Sequence, residues 1–438
     1  METNRGLSVT TRSLLVIESI NHFHQQVMGA GNEPHLILDA VKNNPDNLLL
    51  QVYAAAFYLY GQTDAATSLA KEHLVQAEKL LYPVNLREKL TYQAVKAWMN
   101  LEYETALTIL EALTTLYPRD TLAAKFAEWL FYCSGQAYNG HNYLKFCERI
   151  AAHNQDESHF LAMHSFAAEL SGHISDAHRL AEQALAIEPL TPWAHHTLAH
   201  IYLNTKNSAK GIAALETFRG SWEQISTLLR GHNSWHLALF YLALRQVDKV
   251  MNLYPVIFGI SPEIITEQID AISLLWRLDM AGLPQIDQFK VVANYLDENP
   301  FTHYTGFNSV HYVYCLARLG QEDAVQKSMV SLETYAKTLP KGYNQALWLS
   351  VILPLSKGIH AFVNNDFQSA YDWMTPCISR RTEIGGSDAQ SEIIAQTYLL
   401  CLLQNKKKKA AKEFFNFHLA HYKGTPLAEF WFDSNLSF

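Results

Sequence analysis

Apolar residues in this chain recur three and four positions apart, in runs divided by short polar stretches, and that spacing predicts paired amphipathic helices from one end to the other. The runs repeat. From Arg87, a first run carries Leu90, Ala94 and Ala97, a second carries Ala106, and Pro118 closes the unit. From Ser158 the second run carries Ala177 and Ala184 and ends at Pro189, and the next unit starts at Pro192 with Leu198, Ala199, Tyr202 and Gly211. The clearest units are therefore 87–120, 158–191 and 192–225, the last two in uninterrupted register. Weaker copies run from Leu50 (Ala54, Phe57, Ala66), from Gly231 (Leu237, Ala238, Tyr241) and from Val351 (Gly358, Ala361, Ala370). Turns are expected at Gly61-Gln62, Leu319-Gly320-Gln321, Asn364-Asn365-Asp366 and Lys406 to Lys409.

This arrangement resembles the tetratricopeptide template, in which a large residue, a small residue and an aromatic mark the first helix, and small residues and a proline mark the second. Between the clear copies the spacing drifts, as in 121–154, 262–296, 305–339 and 391–421. The expected fold is all-α, with about ten to twelve helical hairpins stacked in a right-handed superhelix that curls around a central cavity. Residues 1–438 are read as a single continuous domain, with functional halves meeting near Ser261-Pro262.

Composition narrows the function. A chain of 438 residues is long for one compact core, which fits a repeat array. A net charge of −8 offers no footprint for nucleic acid, and the lysines from Lys406 fall where a solvated turn is expected. No run approaches about 18 uninterrupted apolar residues, and the N-terminus has no apolar signal segment, so a membrane partner is not expected. Five widely spaced cysteines with no CxxC pairing suggest buried thiols in a reducing compartment, and the expected location is the cytoplasm. Self-association is left open.

Histidine is concentrated between Thr191 and His236. Thr191 and Pro192 read as an N-cap and first helical position, so His196 and His200 lie one turn apart on one helical face. His232 and His236 repeat the spacing one hairpin later. If these faces meet, four imidazoles converge.

Certain motifs are specific in combination: Arg87-Glu88-Lys89-Leu90, Tyr117-Pro118-Arg119-Asp120, Trp193-Ala194-His195-His196-Thr197-Leu198-Ala199-His200 and His232-Asn233-Ser234-Trp235-His236. Downstream follow Asp270, Leu274-Leu275-Trp276-Arg277-Leu278, Phe307-Asn308-Ser309-Val310-His311 and Gly385-Gly386-Ser387-Asp388-Ala389-Gln390. Through them nearly the whole chain resembles the family of tetratricopeptide repeat protein 38 and its bacterial relatives. That resemblance implies an all-helical repeat fold and no settled reaction. The chain departs from it at Ser391-Glu392, where the family continues with an Arg-Asp pair.

The resemblance also implies that positions 2, 5, 9 and 12 of each first helix face the concave groove. Counting from Ser158, Pro192 and Gly231 places His159, Phe166, Glu169, His196, His200, His232 and Trp235 there, with His236 one position off and His195 at a packing position. Candidate catalytic residues are His196, His200, His232, His236 and Glu169; candidate ligand-binding residues are Trp193, Asn233, Trp235, Asp270, Trp276, Arg277, His311, Gln390 and Glu392.

Two chemistries suit the cluster. His196, His200, His232 and His236 offer paired i, i+4 ligands for a divalent metal, the candidate cofactor, with Glu169, Asp270 or His311 completing the set. Alternatively, imidazoles beside carboxylates act as acid and base near pH 7 on a small polar substrate. The turn Gly385-Gly386-Ser387 is either an anion-binding helix start or a glycine turn with its N-cap. No HExxH, Walker, Rossmann or nucleophile signature is present. The competing reading is a non-catalytic scaffold holding a peptide or partner helix in its groove.

Overall fold

Local signals start several of the described helices. Asn47, Thr63, Asp120, Thr305 and Asp366 each accept, through a side-chain oxygen, a backbone N–H of the first turn that the helix itself cannot satisfy. Asn85 with Glu88, and Ser387 with Gln390, form reciprocal capping boxes. The computed structural model describes residues 1–433, and among these it has 24 α-helices and no strand beyond one isolated bridge between Glu2 and Ser8.

From Leu48 to His418 the described helices form ten successive hairpins, and one turn recurs between their arms. Two residues past the first helix a residue sits in the left-handed region: Leu101, Gly135, Gly172, Lys206, Arg245, Gly282, Gly320, Asn365 and Lys406. In eight of these turns the next N–H reaches back to a carbonyl five residues earlier, as His173 does to Ala168 at 2.9 Å and Lys407 to Leu402 at 2.9 Å. This closure satisfies the last carbonyls of the first helix and starts the second within a few residues. The interval between turns is 34 residues from Gly172 to Lys206 and widens to 45 from Gly320 to Asn365. The drift seen in sequence is therefore variation in helix and linker length around a constant turn. At Gly135 only glycine fits, since a Cβ would come within 2.2 Å of the Thr382 carbonyl oxygen.

The hairpins are gathered in two compact units. The first comprises Met1–Ser134, Asn139–Leu198 and Ser221–Leu229. In it Leu48–Leu59 packs on Asp64–Lys79, Leu86–Met99 on Tyr103–Leu116, and Ser158–Leu170 on Ile174–Ile187, while the N-terminal helix Leu14–Met28 lies on Thr121–Cys133. A buried Arg87–Asp120 ion pair, 2.8 Å, ties one hairpin to the next. The second comprises Gly135–Tyr138, Ala199–Gly220 and Arg230–Phe438. Ser261-Pro262, the junction expected from sequence, lies inside it.

Two contacts organise the second unit. Ile265–Met280 packs on its neighbour Gly306–Arg318 and also on Asp388–Gln404, more than a hundred residues further along. Tyr343–Val363 is long and apolar enough to cross a bilayer, but 61% of its apolar window is buried, as in a core helix, and its second half packs on Gly306–Arg318 and Phe367–Met374.

Candidate polar centre of the second unit

His200 sits near the end of Pro192–Asn204, His232 and His236 on Thr227–Ala243, Asp270 and Arg277 on Ile265–Met280, and Asp388 in the first turn of Asp388–Gln404. Helical periodicity puts His232, Trp235 and His236 on one side of their helix. The ring of His236 lies 4.6 Å from that of His200 and 4.8 Å from that of His232. Trp235 stacks parallel to His232 at 5.4 Å and meets His236 edge-on at 4.9 Å.

Each outer imidazole has its own carboxylate. His200 Nδ1 is 2.8 Å from Asp388 Oδ1, and His232 Nδ1 is 2.8 Å from Asp270 Oδ2. Asn204 donates to the second Asp388 oxygen at 2.9 Å. Burial alone would raise the Asp388 pKa, but the His200 charge and the hydrogen bonds from His200, Asn204 and the Ala389 N–H outweigh it and hold it at about 2. The helix N-terminus under this carboxylate adds to that preference.

Arg277 closes the arrangement. Its Nη2 donates to the Ala389 carbonyl at 2.7 Å and its Cζ lies 5.1 Å from the Trp235 ring centre. The contacts thus run from Asp388 through Ala389, Arg277, Trp235, His236 and His200 back to Asp388. Beside them Glu392 pairs with His421 at 2.7 Å, and Gln396 donates to Glu392 at 2.8 Å and to the Tyr422 hydroxyl at 3.2 Å. Burial would lift the Glu392 carboxyl, yet His421 and Arg277 keep it below its ordinary value; Glu392 in turn raises His421 against its own burial.

Several expectations change. His200 and His236 are 0% exposed, so they are not imidazoles on an open groove wall; truncating one would leave a cavity and strand its neighbour. Gln390 Oε1 accepts from the Ser387 N–H, so the glycine turn is a capped helix start. Glu392 faces His421, not the clustered histidines. Trp276 stacks on Tyr314 at 4.1 Å and borders His311 at 5.6 Å. His311 donates from Nδ1 to the Phe307 carbonyl at 2.8 Å, and burial pushes its pKa down to about 3. Asn233 is fully buried on the same helix as His232.

Three other candidates belong to the first unit. Glu169 is buried on Ser158–Leu170. His196 is 3% exposed and meets Phe166 edge-on at 4.8 Å and Trp193 at 5.7 Å. Trp193 also carries the Lys125 ammonium 3.6 Å from its ring centre, and Lys125 is ion-paired with Glu128. His195 is a packing residue, as its position predicts: Nε2 donates to the Pro189 carbonyl at 3.2 Å, Nδ1 accepts from Trp222 at 3.3 Å, and burial lowers it to about 4. That unit holds a pocket of about 170 Å³ whose walls include Gln25, Gln26, His159, Glu188, His195 and Gln224.

Sequence reasoning missed Asp388, Asn204 and His421. Asp388 lies at the start of a helix read only as a capped turn; the usable signal is an acid in the first turn of a helix whose N-cap is Ser387. A search against protein-family models finds no match for the chain.

Proposed function

We propose that the chain is a tetratricopeptide-type repeat protein of the kind found in the tetratricopeptide repeat protein 38 family. In this reading its hairpins wind into a right-handed superhelix, and it works in the cytoplasm. Its second unit binds a small polar ligand and moves protons on it with His200 and His232. The observation that carries this reading is the pair of Nδ1–carboxylate contacts, His200 to Asp388 and His232 to Asp270, on either side of His236. A carboxylate on Nδ1 fixes the tautomer with the lone pair on Nε2 and stabilises the imidazolium once Nε2 has taken a proton. Two such imidazoles, one accepting and one returning a proton, suit hydrolysis, elimination or isomerisation. A peptide-holding groove gains nothing from burying them.

A second reading has its own support. Metal-bound histidines commonly hold a carboxylate on the other ring nitrogen, and His200, His232 and His236 are neighbours. Bound there, a divalent ion would supply Lewis acidity or an activated water.

The test is native mass spectrometry and elemental analysis of protein purified without an affinity tag, compared with His200→Asn/His232→Asn. Asparagine keeps a donor near the Nδ1 position for each aspartate and removes Nε2. The expected result is a small molecule carried by the parent protein and absent from the folded variant. A stoichiometric metal lost in the variant would favour the second reading. A peptide or protein partner retained equally by both would overturn both and leave the scaffold.

A further inference from the structure

Arg277 is 2% exposed, and its charge is not one it can lose. Nη1 donates to Ser273 and Nη2 to the carbonyls of Ala389 and Gln390, at 2.7 and 3.4 Å. Nε is buried with no hydrogen-bond partner. None of the groups it bonds is an anion, although taking a guanidinium out of water calls for one. The nearby acids are each engaged by an imidazole: Asp388 by His200, Asp270 by His232 and Glu392 by His421. The indole N–H of Trp235, whose ring lies 5.1 Å from the guanidinium carbon, and that of Trp276, the residue preceding Arg277, are likewise buried without an acceptor. Three donors on two neighbouring helices, one of them on a fixed positive charge, lack the same thing.

We propose that Arg277 binds the carboxylate of the ligand, so that the second unit acts on small carboxylic acids, an assignment resting on the small-ligand reading above. The unpaired Nε–H donates to one carboxylate oxygen, and the guanidinium matches a carboxylate in single charge. A phosphate dianion would bring a second negative charge among Asp270, Asp388 and Glu392, which repel a dianion about twice as strongly as a monoanion.

Thermal melting of the full chain tests this with matched probes at constant ionic strength: acetate, succinate and benzoate against acetamide, succinamide and benzamide, with chloride and phosphate alongside. At least one carboxylate should raise the melting temperature while its amide does not. Arg277→Lys, which keeps the charge but not the Nε donor, should raise the half-saturating concentration tenfold or more, and Arg380→Gln should leave it unchanged. Carboxylate preference surviving in His200→Asn/His232→Asn would uphold the Arg277 assignment even if the proton-transfer reading fails. Equal response to acids and amides, no response to any carboxylate, or an unchanged response in Arg277→Lys would overturn it, and a response to phosphate alone would move the class to phosphoryl compounds. The comparison of acid with amide needs only the parent protein, so it decides the matter even where an Arg277 variant does not fold.

Discussion

His200 and His311 are both wholly buried histidines with opposite surroundings. His200 has a carboxylate on Nδ1, whereas His311 donates to a backbone carbonyl between Phe307 and Trp276 and is held neutral. The His311 value of about 3 lies below the roughly 6.5 of the unfolded chain. Between those limits the unfolded chain binds a proton that the folded one refuses, so stability falls as pH drops from about 6.5 towards 3. His311→Gln should flatten the fall of the urea midpoint between pH 6.5 and 4; a parallel curve would mean that the ring does not stay neutral. The two i, i+4 histidine pairs were legible in the sequence because helical spacing alone aligns them. Their carboxylates were not: Asp388 stands 184 residues from Asn204, which shares it, and only the stacking of hairpins brings them together. Nor does spacing distinguish an open groove from a buried polar centre, since both put polar residues on one stripe.

At the scale of elements, the recurrent turn explains which hairpins the sequence revealed. Turns at Gly320 and Asn365 carry residues that tolerate the left-handed region and were expected there, whereas Leu101, Lys206 and Arg245 adopt it with nothing in their side chains to announce it. Such a residue costs about 1–2 kcal/mol, and glycine's greater freedom in the unfolded chain takes back about 0.5–1 kcal/mol. Lys406→Gly should therefore raise unfolding stability by about 0.5–1 kcal/mol, and Gly320→Ala, whose Cβ would meet nothing within 4 Å, should lower it by about 0.5–1 kcal/mol through the same balance of backbone strain and unfolded-chain entropy. Denaturant titration of both variants checks the pair, and a loss in Lys406→Gly would show that the lysine side chain contributes more than its backbone costs.

Across the whole molecule, the helical class and most hairpins were readable because periodicity is local, while the division into two units was not, because it depends on contacts between distant helices. The five cysteines are all buried thiols, and burial pushes Cys377 up to about 11 and Cys315 up to about 12. A thiol so placed is a poor nucleophile. The native protein should show almost no reaction with a disulfide reagent at pH 8, and all five should react in guanidinium; rapid native labelling would reveal an opening at one of these sites. The packing of Ile265–Met280 on Asp388–Gln404 has one more effect, on the order in which the protein is made. His200 and Arg277 leave the ribosome well before Asp388 and the Ala389 carbonyl, which are what they bond to. A chain that stops short of residue 388 would carry that imidazole and that cation with no carboxylate or carbonyl from the last hairpins to meet them, so only a nearly finished translation product can assemble the centre.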